Sequence, residues 1–199
     1  MRLYIVRHGN TFDTGDVVSR VGGRTDLSLS ISGQEQAKAL SEAFTNMPLD
    51  VCYASPLKRT LETAKAICAS RVINIETAEF LKEIDYGPDE NKAETEVIER
   101  LGQQAILDWD TYSKVPDGWN VDPMHYIKAW GDFITKLESE NTLIVTSNGV
   151  ARFLLDCLDI NVSQSKLPTG SVACLEKAGA QWTAHYWGLR PPLPQIIRL

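Results

Sequence analysis

Strand-like runs alternate with helix-like runs along most of this chain, and few folds accommodate that order. Residues 2–6, 49–55, 71–76 and 142–147 are short apolar stretches rich in β-branched residues. A helical pattern begins at Ser32, where Glu35 completes an S-x-x-E capping box. Ala37, Leu40, Phe44 and Met47 then recur at helical spacing. Ser55-Pro56 reads as an N-cap followed by proline at the first helical position, with Leu57, Leu61, Ala64 and Cys68 as the buried stripe. Further helical stretches cover 93–114, 123–140 and 149–158. Residues 171–188 alternate like a hairpin, with Ala178-Gly179 near its turn. This order predicts an α/β protein, a three-layer α/β/α sandwich around a mostly parallel sheet. No repeat, linker or low-complexity segment divides residues 1–199, so they read as one domain. Residues 188–199 read as an extended surface tail, and the single Pro191-x-x-Pro194 match within it is weak.

Charge narrows the partners. Twenty Lys and Arg against 26 Asp and Glu give a net charge of −6, which argues against nucleic acid or an anionic membrane as the main partner. A small anionic substrate needs only a local positive pocket. Cys52, Cys68, Cys157 and Cys174 each lie in an apolar stretch without metal-ligand spacing, so they read as reduced core residues. With three histidines, no zinc site is expected. No apolar run is long enough to span a membrane, and the chain enters a strand at once without room for a signal peptide. The expected location is the cytoplasm.

In sheets of this class ligands bind beyond the carboxyl ends of the strands. Three such ends carry polar residues: Arg7-His8, Ser55 to Arg59, and Thr146-Ser147-Asn148-Gly149. A cation in the first turn of a helix faces the positive end of its dipole, at a cost of ~0.3–1 kcal/mol when exposed. Arg59 and Arg152 both have that placement, which points to an anion shared with the helix N-termini. His8 lies between Arg7 and Gly9. Nearby arginines would hold its imidazole neutral, and the glycine would let a ligand approach the backbone. A neutral imidazole is a nucleophile suited to phosphorus.

Five stretches in order resemble the histidine phosphatase superfamily, which includes the cofactor-dependent phosphoglycerate mutases. "IVRHGNT" is similar to its R-H-G-x-T signature, and "GGRTDLSLSISGQEQAKAL" to G-x-x-D-x-x-L-x-x-x-G-x-x-Q-A. "ASPLKRTLETA" matches S-P-L-x-R-x-x-x-T-A, "LKEIDYGPDENK" resembles L-x-E-x-D-F-G-x-W-E-G, and "TSNGVARFLL" parallels T-H-G-G-V-x-R-x-L-L. The resemblance implies a phosphomonoester hydrolase in which His8 is transiently phosphorylated, Arg7 and Arg59 grip the phosphoryl oxygens, and Glu83 is the proton donor. Asn10, Thr11, Gly23 and Thr25, within the same motifs, are candidate substrate contacts. A small phosphorylated substrate is implied, with no cofactor and no metal.

The chain departs from the pattern twice. Without a gap, Ser147 stands where the second catalytic histidine belongs and Asn148 replaces the following glycine; a one-residue shift would instead put Asn148 in the pocket. Either can donate a hydrogen bond to a phosphoryl oxygen, and neither carries charge. Asp89 stands in place of the family's tryptophan and Asn91 in place of a glycine, while Glu90 persists. Extra acid beside Glu83 would disfavour polyphosphates. Trp119, in "PDGWNVDP", reads equally as a packing anchor or a ligand contact. The missing histidine leaves a competing expectation, a degenerate module that binds phosphate or phosphopeptide without turnover. A mutase-type phosphotransferase ranks lower, because the chain has no counterpart to the longer active-site segments of the classical mutases.

Overall fold

The computed structural model describes residues 1–194, so the last five residues of the expected tail lie outside the described residues. Six strands form one sheet: β1 (Arg2–Arg7), β2 (Val51–Ala54), β3 (Ile75–Thr77), β4 (Asn141–Thr146), β5 (Val172–Ala178) and β6 (Gln181–Leu189). Their order is β3-β2-β4-β1-β5-β6. The first four are mutually parallel, and β5 and β6 extend the sheet antiparallel as the expected hairpin. β4 is buried along its whole length and β1 along all but Arg7, as central parallel strands covered on both faces must be.

Helices cover both faces. The pleat sends Tyr4 and Val6 of β1 into a core with Leu40, Phe44 and Ile67, from α1 (Ile31–Phe44) and α2 (Lys58–Cys68). Leu3 and Ile5 point the other way. They join a larger core with residues of α3 (Glu94–Leu101), α4 (Gln103–Tyr112), α5 (Pro123–Ile134), α6 (Asn148–Ala151) and α7 (Phe153–Cys157). Trp109, Trp130 and Phe153 are the most deeply buried aromatic side chains of that second core. The four cysteines are unbridged, three buried and Cys157 partly so. No helix among the described residues is long and apolar enough to cross a membrane.

Several element ends differ from the sequence expectation. The N-cap of α1 is Ser30, whose hydroxyl accepts from Gly33 N at 3.2 Å, so the Ser32–Glu35 capping box does not form. Ser32 instead lies in the first turn, where its N–H is taken by Asp13 Oδ1 at 2.8 Å. Before α2, Ser55 Oγ accepts from Leu57 N at 3.2 Å, closing a turn that holds Pro56 outside the helix. The stretch 93–114 is two helices because Gly102 takes φ +82° between them. Helix 123–140 ends at Ile134, and strand 71–76 begins only at Ile75. Within 149–158, helical dihedrals continue through Arg152, but Leu155 N reaches Arg152 O in a tighter i−3 step that separates α6 from α7.

Candidate active site

β1 and β4 are neighbours in register, Arg7 opposite Thr146, so the residues after them emerge side by side at one edge of the sheet. His8 is fixed there by its backbone. Its N–H donates to Thr146 O at 3.2 Å, and its carbonyl accepts from Gly170 N at 3.0 Å. The ring is 5% exposed. Its Nδ1 lies 2.7 Å from Gly9 O and donates to it. Arg59 Nε donates to Nε2 at 3.2 Å, so Nε2 holds the lone pair. Burial, then Arg59, then Arg7, hold this imidazole well below the ordinary histidine pKa, so it is neutral at physiological pH. Gly9 permits a close approach at this point, since a Cβ there would lie 2.4 Å from Gly33 O.

Arg59 enters from the first turn of α2, wholly buried behind His8. Its Nη1 donates to Thr25 O at 2.8 Å and its Nη2 to Gly22 O at 3.1 Å. Arg7 donates from Nη1 to Leu167 O at 2.8 Å, while its Nε is buried without a partner. Glu83 sits on the loop after a 3-10 turn at Glu79–Leu81, which is anchored by Thr146 Oγ1 donating to Leu81 O at 2.6 Å. Its Oε1 accepts from Ile84 N at 2.9 Å. The carboxylate favours the charged form of both Arg7 and Arg59 against the opposing effect of burial. Gly149 makes room for it, because a Cβ there would stand 2.3 Å from Glu83 Oε1.

Arg7, His8, Glu83 and Asn148 line a cavity of about 700 Å³, and Arg59 lies behind its wall. The Asn148 amide is oriented by Leu167 N, which donates to Oδ1 at 2.7 Å. Its Nδ2 therefore carries the donor hydrogens, and no group among the described residues takes them. Ser147 is fully buried, its Oγ has no partner, and it does not line the cavity.

The other anticipated residues separate into wall and scaffold. Asn10 and Thr11 line the cavity. Asn10 has both side-chain ends engaged, Oδ1 accepting from Thr169 at 2.6 Å and Nδ2 donating to Ser32 Oγ at 3.2 Å. Gly23 and Thr25 lie behind the wall. Gly23 N donates to Ile84 O at 3.0 Å beside Glu83, and Thr25 holds Arg59 through its carbonyl. Arg152 is not at the cavity. Its guanidinium lies 3.8 Å from the centre of the Trp109 ring, donates to Trp109 O, and reaches Asn148 O from Nε at 3.4 Å.

The sequence model of the histidine phosphatase superfamily (branch 1) matches residues 3–190. The chain belongs to that superfamily. One relative, phosphoserine phosphatase 1 of Hydrogenobacter thermophilus, is 28% identical over 169 residues, covering 83% of this chain and 79% of that protein. The probable phosphoglycerate mutase GpmB of Proteus mirabilis is 24% identical over 198 residues, covering 94% and 90%. The mycobacterial glucosyl-3-phosphoglycerate phosphatase, solved with VO3, superposes with a TM-score of 0.79 at 21% identity, covering 94% of this chain and 98% of that one. The mixed sheet is the phosphoglycerate mutase-like α/β arrangement of the solved histidine phosphatases.

Within this superfamily fold, two readings of the departures change. Asp89 is buried, paired with Arg100 and accepting from Trp119 Nε1 at 2.7 Å. Glu90 accepts from Thr25 Oγ1 at 2.7 Å and from Arg24 N at 3.1 Å. Neither lines the cavity, so these two carboxylates do not set its charge. Trp119 is a packing anchor against Tyr86 and Trp109. The segment Lys166 to Gly170, by contrast, was invisible as a motif. It grips Arg7, Asn148 and His8 through main-chain groups, which no side-chain pattern records. Among the described residues, no group of three or more His, Cys, Asp and Glu is arranged to hold a metal ion.

Proposed function

We propose that this protein is a phosphomonoester hydrolase working through a phosphohistidine on Nε2 of His8. The observation that carries the reading is the fixed tautomer of a cavity-lining histidine: Nδ1 is committed to Gly9 O, and the neutral Nε2 accepts from the N–H of the buried Arg59. An incoming phosphoryl group takes the Arg59 Nε–H in place of Nε2 and sits between Arg59, Arg7 and the Asn148 amide. The freed lone pair of Nε2 forms a P–N bond as the ester P–O bond breaks. The leaving oxygen takes its proton from the Glu83 carboxyl. Water then attacks phosphorus, Glu83 accepts its proton, and the P–N electrons return to Nε2. The balance is ester plus water giving alcohol plus inorganic phosphate. Asn148 rather than Ser147 stands in for the absent histidine, because Asn148 lines the cavity with its amide N–H groups unclaimed and Ser147 does not line it.

Release of phosphate from a generic aryl phosphate, followed across pH, tests this. His8→Ala should reduce release to background. Asn148→Ala should lower kcat/KM about 10²-fold, the effect of losing one preorganised donor, whereas Ser147→Ala should leave it within about threefold. Saturable phosphate binding without release from any ester in a panel would assign the site to binding alone.

A further inference from the structure

The cavity reaches beyond the phosphate-gripping residues, and that outer part has a chemistry of its own. Its roof is the loop 12–21, strapped to the start of α3 by Arg20 N donating to Lys92 O (2.8 Å) and Glu94 N donating to Val18 O (3.0 Å). Its apolar surface comes from Phe12, Val21, Ile98 and Ile106. Two cations reach it, and both are already neutralised. Arg20 pairs with Glu94, its guanidinium 5.3 and 5.2 Å from the ring centres of Tyr86 and Trp119. Lys166 Nζ lies 2.5 Å from Asp110 Oδ2. A third carboxylate, Asp13, accepts from Ile31 N (3.1 Å) and Ser32 N (2.8 Å) and forms no ion pair among the described residues. Two cations thus line the outer part beside three carboxylates, and Asp110 also lies 4.0 Å from the buried Arg152, so each of these cations already faces a carboxylate, while among the described residues Arg7 and Arg59 around His8 form no ion pair.

Resting on the phosphate-pocket reading above, we infer that the substrate is a monophosphate ester of an alcohol with an apolar or aromatic body and no second anionic group. An apolar body gains from leaving water against Phe12, Ile98 and Ile106. A carboxylate or second phosphate at the same place meets the carboxylates of Asp13, Glu94 and Asp110 and finds only cations that are already paired.

The test holds leaving-group acidity nearly constant by using alkyl esters: 2-phenylethyl phosphate, glycerol 1-phosphate and 3-phosphoglycerate. The expected order of kcat/KM is the order named, with at least about tenfold between first and last. Ile106→Ala should lower the phenylethyl ester alone by several-fold. Glu94→Gln, which releases the charge of Arg20, should narrow the gap between 3-phosphoglycerate and glycerol phosphate. Binding of 3-phenylpropylphosphonate and 3-phosphonopropionate, measured by calorimetry, gives a readout independent of turnover. If the phenyl phosphonate binds more tightly while no ester is hydrolysed, the inference holds and the hydrolase reading fails. If hydrolysis depends on His8 but the carboxylate-bearing compounds are equal or preferred, the hydrolase reading holds and the inference is overturned. If neither phosphonate binds and no ester is hydrolysed, both are overturned.

Discussion

Placing a neutral histidine among arginines has a consequence for stability as well as for reactivity. Burial and the two guanidiniums depress the pKa of His8 only in the folded state, so the unfolded chain binds its proton more readily. Its contribution to stability is complete above about pH 6.5, the ordinary histidine value, and is lost as the pH falls from there towards the folded pKa. Urea unfolding at pH 5 and 7.5 should show a smaller pH-dependent loss in His8→Asn than in the native protein. An unchanged pH dependence would mean that His8 protonates normally when folded. Gly149 offers a second residue-scale prediction. Gly149→Ala forces Glu83 and Ile84 aside, because the new methyl lies 2.3 Å from Glu83 Oε1 and 2.8 Å from Ile84 Cγ1. The variant should lose about 10²–10⁴-fold of kcat/KM on alkyl phosphates, the range for losing a positioned proton donor. It should lose much less on p-nitrophenyl phosphate, whose leaving group needs no proton. Equal loss on both esters would show a general disruption instead.

At the scale of elements, Arg152 joins parts that share no hydrogen-bonded ladder. It spans from the α6 turn bearing Asn148 to the end of α4 bearing Trp109 and Asp110, and so ties two parts of the cavity wall together. Arg152→Met should cost about 2–3 kcal/mol in unfolding free energy, because it removes charged hydrogen bonds to two buried carbonyls, each of which keeps only its main-chain donor, and takes a cation from a ring face. Arg152→Lys should rescue little, since an ammonium cannot both stack and donate sideways. A denaturant titration measures both. Elements were legible in the sequence wherever periodicity was long, as in α1, β1 and β4. Their ends were not, because capping at Ser30 and the turn at Ser55 depend on which backbone N–H each hydroxyl reaches. The expectation that Arg152 meets an anion failed for a related reason. Helix position put it in a first turn, but the side chain's destination was set by Trp109, 43 residues earlier in sequence.

Across the whole molecule, a chain of net charge −6 concentrates buried positive charge at one edge of its sheet. The strand order makes this possible by placing β4 beside β1, so that residues more than 130 positions apart flank one another. His8, Arg7, Arg59 and Glu83 stood out in the sequence because each belongs to a motif with a fixed spacing, and the fold brings them together at that edge. Which of Ser147 and Asn148 lines the cavity did not stand out, since the Asn148 amide is held by the Leu167 main chain. Nor did the burial of Asp89, which depends on Arg100 and Trp119. The central claim is a covalent phosphoryl group on His8. It is tested most directly by quenching turnover of a ³²P-labelled phosphate ester in alkali, where phosphohistidine survives, and mapping the label by mass spectrometry. The account predicts label on His8 that is released by acid and absent from His8→Ala. Steady hydrolysis with no label on the protein, or with label on another residue, would contradict it.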